Sequence, residues 1–242
     1  MKELMSKALP DITKDIARAL GAKEITQTPF ESKNEILKNE VLQQEVGYQK
    51  MPDGSYLVSM TCPLPGITPD MIAWWFWWHP SKKERYQVWF PGEHFSIAYP
   101  SKQSDYFEQE TCPAFQNNTQ YPDERIGGVM MPLRIDFVTP EEFGFSKAVM
   151  EDNRIPLIVC GHVGVFKGIL WHTEMAHIFK ESDDGLFLIS RFWLGKTMYP
   201  LLRKMLITEK LAKGMAEHCC VEYRNLWEIL PQLYRENNKN HS

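Results

Sequence analysis

The sequence predicts an α+β fold in which a curved antiparallel sheet grips one long C-terminal helix, with a small appendage at the N-terminus. Three observations lead there. Six stretches between residues 56 and 194 read as strands with turn chemistry between them. Pro200–Pro231 reads as a single helix, because Leu211, Met215, Cys219, Leu226 and Ile229 recur at spacings of three, four and seven and share a face. Lys213, Glu217, Arg224 and Glu228 fall on the opposite face. Residues 1–50 differ in composition, being rich in Lys, Glu and Gln and free of Trp.

In chain order, Asp11–Leu20 is predicted as a short amphipathic helix with Asp11 as N-cap, and Ser32–Gln44 as a polar one. Pro52-Asp53-Gly54 supplies a turn before the strand Tyr56–Cys62. Thr68 caps and Pro69 opens a helix carrying MIAWWFWWH; its Trp residues cover the whole circumference and predict burial. Arg85–Phe90 reads as a strand, and His94 follows a Pro-Gly turn. Residues 100–123 are polar and irregular, an excursion of the kind that forms a lid. Met130–Val138, Ile155–Phe166, Leu170–Lys180 and Gly185–Leu194 complete the strands, the last two joined by a hairpin turn at Asp183-Asp184-Gly185. The economical packing lays the apolar stripe of the helix on the concave side of the sheet. This is a Bet v 1-like helix-grip arrangement, and it encloses a cavity. The expected organisation is therefore a helical arm at 1–50 and a site-bearing domain at 51–242.

The 242 residues are 43% hydrophobic with a formal net charge of -4, which gives no bulk attraction to nucleic acid or to an acidic membrane. The five cysteines include no C-x-x-C pair, which indicates reduced thiols and a cytoplasmic setting. No apolar N-terminal region marks a signal peptide, and no apolar run approaches the ~18 residues of a membrane span. G-x-S-x-G, G-x-G-x-x-G, P-loop and H-E-x-x-H patterns are all missing.

What remains is a polar interruption in the apolar stripe. His218 and Glu222 lie one turn apart within it. Such a pair can close on one metal ion or form an ion pair, and its apolar surroundings demand that the carboxylate be neutralised, paired or metal-bound. His177 alternates with Met175 and Phe179 and is expected to face inward. His79, ending the Trp helix, suits a structural hydrogen bond, and His241 lies in a polar tail.

The blocks WWFWWHPSKKERYQVWFPGEHFS, YPDERIGG, ISRFWLG and HCCVEYRNLWEILPQLY, taken in that order, resemble the 2,4-diacetylphloroglucinol hydrolase family, to which phloretin hydrolase is related. The resemblance covers roughly residues 56–235. It implies an N-terminal dimerisation element, hence a homodimer, and a zinc ion on two His and two Glu. Carried onto this sequence, those ligands are His94, Glu124, His218 and Glu222. It also implies Tyr86 near substrate and a His near the acyl group, best matched by His177, with His172 as the alternative. Two positions depart from the family pattern: Phe90 stands where many relatives have a His, and Arg125 where a Tyr is expected.

The implied reaction is hydrolysis of the carbon–carbon bond between a polyhydroxylated ring and an acyl group, on an acylated phenolic small molecule. Trp75 and Trp78 are candidate walls for the ring. Two other functions stay open: a non-catalytic carrier of an aromatic ligand, which needs no four-ligand set, and a zinc hydrolase of another β-diketone, ester or amide.

Overall fold

The computed structural model describes residues 2–6, 9, 25–38 and 45–238. The described strands are β1 (Val46–Lys50), β2 (Tyr56–Pro65), β3 (His94–Ser96), β4 (Asn118–Gln120), β5 (Asp123–Ile126), β6 (Val129–Val138), β7 (Leu157–Val165), β8 (Leu170–Ser182) and β9 (Gly185–Leu194). They form one antiparallel sheet in the order β1-β2-β9-β8-β7-β6-β5-β3, with β4 also on β6. Four helices matter to the site: α1 (Pro69–Trp78), α2 (Lys83–Gln87), α3 (Pro200–Leu206) and α4 (Glu209–Asn237).

The central strands β2, β9, β8 and β7 contribute to a core on each face of the sheet. On β2, Val58, Met60 and Leu64 belong to the core shared with α1 and α4, while Leu57 belongs to a second core behind the sheet. That second core is closed by Ile25, Ile36 and Leu37 from the N-terminal segment and by Phe143 and Phe145. The boundary expected at residue 50 therefore falls inside the sheet, since β1 pairs along its whole length with β2. Glu45 accepts from Thr26 and Ser59 and pairs with the buried Arg191 guanidinium at 3.4 Å, fastening this segment to β9. The helix expected over Ser32–Gln44 is a short helix at Asn34–Leu37, with residues 39–44 outside the described set; Asp11–Leu20 and His241 also lie outside it.

The structure departs from expectation in two further elements. Arg85–Phe90 is not a strand: Lys83–Gln87 is helical and the following residues continue in turns. Tyr86 and Trp89 are three apart, so an alternating pattern also satisfies a helical one. Arg85 then decides between them, because its guanidinium stacks on Trp78 at 4.0 Å and donates to the Trp78 carbonyl at 2.9 Å. The helix expected over Pro200–Pro231 is broken after Leu206. Ile207 turns inward with extended backbone, and the Thr208 hydroxyl accepts from Leu211 N at 3.2 Å as the N-cap of α4. At the other end Pro231 does not stop the helix, which runs on to Asn237 with Leu230 and Leu233 buried on either side of it.

Thr68 caps α1 as predicted. The excursion over 100–123 is anchored: Trp77 Nε1 donates to the Tyr106 carbonyl at 2.8 Å, and β4 pairs with β6. No described helix is long and apolar enough to cross a membrane.

Two glycines let the β5–β6 hairpin lie against α4. Gly127 adopts φ of 59° in the turn, and a Cβ placed on Gly214 of α4 would collide with the Gly127 backbone. Gly214→Ala should therefore destabilise the protein by about 1–3 kcal/mol through overpacking, although Ala favours a helix over Gly by about 1 kcal/mol. Urea unfolding measures this; an unchanged or raised midpoint would contradict the close approach.

Candidate metal centre and cavity

Four ionisable side chains converge where α4 meets the β3–β5 edge. Antiparallel register sets His94 beside Glu124 across β3 and β5. One turn of α4 projects His218 and Glu222 toward them, and the Gly127–Gly214 contact brings the two elements together. His94 Nε2 and His218 Nε2 are 3.1 Å apart. Glu222 Oε2 lies 3.5 Å from His94 Nε2 and 3.8 Å from His218 Nε2, and Glu124 Oε2 lies 3.7 Å from His218 Nε2. Ligand atoms of His94, Glu124 and His218 all fall within 4.8 Å of one another.

The donor set suits a divalent cation. His94 Nδ1 is held by the Tyr86 carbonyl at 3.3 Å, and His218 has a backbone hydrogen bond with Arg125. With Nδ1 of His94 tied to a carbonyl, its Nε2 lone pair points to the common centre, opposite that of His218. Two such lone pairs repel unless a proton or a cation lies between them. Burial pushes Glu124 up to about 7, against the pull of the Tyr86 hydrogen bond, and drives Glu222 well above the usual carboxylate range. The same burial lowers His218 to about 4 and His94 well below its ordinary value. A cation bound at the centre would return both carboxylates to the ionised form and keep both imidazoles neutral, the forms that ligate.

The surroundings orient these ligands. Tyr86 donates to Glu124 Oε1 and stacks on the His94 ring, centroids 4.2 Å apart. Burial and the neighbouring Glu124 raise the Tyr86 phenol well above its ordinary value, so it stays a donor. Trp89 Nε1 donates to the Glu222 carbonyl at 2.9 Å, and Asn225 Nδ2 donates to the carbonyls of Val88 and Trp89 at 3.0 and 2.7 Å. These bonds lock α4 to the α2–β3 segment. Phe90 packs on the His218 ring, centroids 4.8 Å apart, as an apolar wall.

Above the centre lies a cavity with about 790 Å³ of empty space, its mouth included. His177 and His172 both line it, as do Tyr86, Glu124, His218 and Glu222. Cys219 Sγ donates to Ser190 Oγ at 3.3 Å, and Ser190 Oγ lies 2.8 Å from His177 Nδ1. With the serine hydrogen directed to Nδ1, the ring proton of His177 lies on Nε2. Burial lowers His177 to about 3 and His172 to about 4, so both are neutral at pH 7. Trp75 and Trp78 are not on the cavity. Trp75 is fully enclosed between Trp78 and Trp89, and Trp78 stacks on Trp74 at 4.6 Å. Phe76 and His79, three apart on the other side of that turn, take the wall instead. A helix aromatic on every side carries no signal of which side faces a ligand. His79 also holds the Trp75 carbonyl through Nδ1 at 2.7 Å, the structural bond expected of it.

A family sequence model described as "DAPG hydrolase PhiG domain" matches residues 28–235. The chain is 32% identical over 243 aligned positions to a 2,4-diacetylphloroglucinol hydrolase of Pseudomonas protegens, covering 89% of this chain and 76% of that one. It is 30% identical over 221 positions to a phloretin hydrolase of Eubacterium ramulus, covering 86% of this chain and 78% of that one.

Cation binding should release protons and tighten with rising pH. Glu124 keeps its proton up to about 7 and burial drives Glu222 well above the usual carboxylate range, whereas His218 sheds its proton by about 4 and His94 is held well below its ordinary value, so competition near neutral pH comes from the carboxylates. Titration calorimetry with zinc in two buffers of different ionisation heat measures this. Affinity independent of pH from 5.5 to 7.5, with no proton release, would contradict the assignment.

Proposed function

Because this chain belongs to the DAPG hydrolase PhiG domain family, we propose that it hydrolyses the carbon–carbon bond joining an acyl group to a polyhydroxylated aromatic ring, with acylphloroglucinols such as phloretin or 2,4-diacetylphloroglucinol as substrates. The observation that carries the reading is the convergence of His94, Glu124, His218 and Glu222 at the wall of a largely apolar cavity. We take the cation to be zinc, whose preference for four N and O ligands this set suits. The same family membership supports a homodimer formed through the arm at 1–50.

The chemical obstacle is the leaving group, since an aryl carbanion is too unstable to depart. A polyhydroxylated ring avoids it by taking a proton on the acyl-bearing carbon and becoming a keto tautomer. The bond then lies within a β-diketone. Water adds to the acyl carbon, the carbon–carbon bond breaks in a retro-Claisen sense, its electron pair returns to the ring as a phenolate, and a carboxylic acid leaves. A zinc ion held by His94, Glu124, His218 and Glu222 would supply Lewis acidity for a carbonyl substrate.

The chain's own side chains hold the protons. His177 presents Nε2–H to the cavity and is the donor for the acyl oxygen or a ring hydroxyl. Tyr86 stays protonated and steadies Glu124, fixing the direction of its carboxylate. His172, on the same wall with Nδ1 bonded to Thr173 Oγ1 at 2.6 Å, is the alternative to His177.

The direct test is incubation of zinc-loaded protein with phloretin and with 2,4-diacetylphloroglucinol, following release of phloretic acid or acetate; release of neither acid would overturn the reaction. His218→Ala should lose both zinc and activity, and full zinc occupancy by elemental analysis would sink the ligand assignment. His177→Ala should keep its zinc while kcat falls by roughly 10²–10⁴-fold, the usual contribution of a positioned proton donor. If His172→Ala shows that fall and His177→Ala does not, the two roles are reversed.

A further inference from the structure

The cavity wall carries a polar group whose own bonding is incomplete. Gln120, on β4, is 2% exposed and lines the cavity. Its Nε2 donates to Asn118 Oδ1 at 3.0 Å and to the Phe76 carbonyl at 3.4 Å. Asn118 Nδ2 in turn donates to the Gln116 carbonyl at 2.9 Å. This sequence of donors sets both amides: the Asn118 nitrogen must face Gln116, so its oxygen faces Gln120, so the Gln120 nitrogen faces Asn118. Turned the other way, Gln120 Oε1 would meet two oxygens. The carbonyl oxygen of Gln120 is left over, and no described residue donates to it.

We propose that Gln120 is a specificity-determining residue whose Oε1 accepts a hydrogen bond from a hydroxyl on the ring of the substrate. This rests on the reading of the cavity as the substrate site. A pure acceptor selects a donor, and its neighbours Phe76, Ile135 and Phe137 offer no charge to accompany a cationic donor. A neutral hydroxyl is the donor that fits. Phe76 links this acceptor to His177: its carbonyl holds the Gln120 amide, and its ring lies face to face with the His177 ring, centroids 6.4 Å apart. A ring lying along Phe76 thus meets an acceptor at Gln120 and a donor at His177 Nε2. The two together match a molecule bearing a hydroxyl and a ketone.

Sites built to bond a substrate hydroxyl reject the analogue lacking it far more strongly than apolar sites reject a missing methylene. The test is calorimetric binding of trihydroxyacetophenone and of acetophenone to the zinc-loaded wild type and to Gln120→Leu. The substitution should weaken trihydroxyacetophenone about 10–100-fold, as expected when one partner of a buried hydrogen bond is lost, and leave acetophenone within about threefold. Equal losses for both ligands would reduce Gln120 to packing. No loss for either would mean that water satisfies Oε1 with ligand bound. Each result overturns the proposal. Should Gln120→Leu fail to fold, the wild type with bound trihydroxyacetophenone decides by crystallography: a hydroxyl oxygen within hydrogen-bond distance of Gln120 Oε1 supports it, and a water or an empty approach overturns it. Binding is read separately from turnover. A wild type that binds but does not cleave refutes the proposed reaction alone, intact turnover with equal losses refutes the Gln120 role alone, and a wild type that binds neither ligand refutes both.

Discussion

Two carboxylates and two imidazoles share one buried point where the long helix crosses the edge of the sheet, and the rest of the molecule is arranged around that constraint. Removing charged carboxylates from water is unfavourable by several kcal/mol each unless something compensates. Without a cation, protons must do so, and the raised carboxylates and lowered imidazoles describe that compromise. It is a poor one, because His94 and His218 still oppose their Nε2 atoms at 3.1 Å. A divalent ion at that point would satisfy all four at once.

The fold supplies the rigidity that such a point needs. The central strands are packed on both faces, and β5, paired with β3 and β6, carries Glu124 against the long helix. The Gly127–Gly214 approach sets the distance between helix and hairpin. Trp89 and Asn225 tie the helix to the segment bearing His94 from the other side. The four side chains, drawn from two strands and a helix, are thus positioned by elements that are tied to one another. On the opposite wall, the Cys219–Ser190–His177 chain and the Gln116–Asn118–Gln120 chain each orient one polar group toward an apolar space.

Much of this was legible in the amino-acid order. The strands and the hairpin turn carry strong local signals, and His218 and Glu222 stand out as the polar pair in an apolar stripe. His94 and Glu124 have no such signature. One follows a turn and the other precedes a pair of glycines, and it was the order of blocks resembling a family that brought them to the helix pair. Where reading failed, competing patterns explain it. Alternation in Arg85–Phe90 satisfies a strand and a helical turn equally, and the Arg85–Trp78 stack that decides is a contact between elements. The break at Ile207-Thr208 depends on Ile207 finding a buried place. Trp75 and Trp78 looked like walls because their helix is aromatic all round, yet Phe76 and His79 are the residues of that segment that reach the cavity. Gln120 gave no signal at all, since only its three-dimensional neighbours leave its oxygen unmatched.

The central claim, that one cation joins His94, Glu124, His218 and Glu222, is tested most directly by anomalous diffraction above and below the zinc absorption edge on crystals of the purified protein. The account predicts a single strong difference peak at about 2.0–2.1 Å from both Nε2 atoms and about 2.0–2.2 Å from an oxygen of each carboxylate, with the imidazoles moved apart to admit it. Density showing the two Nε2 atoms still in contact in zinc-loaded crystals, with no anomalous peak between them, would contradict it.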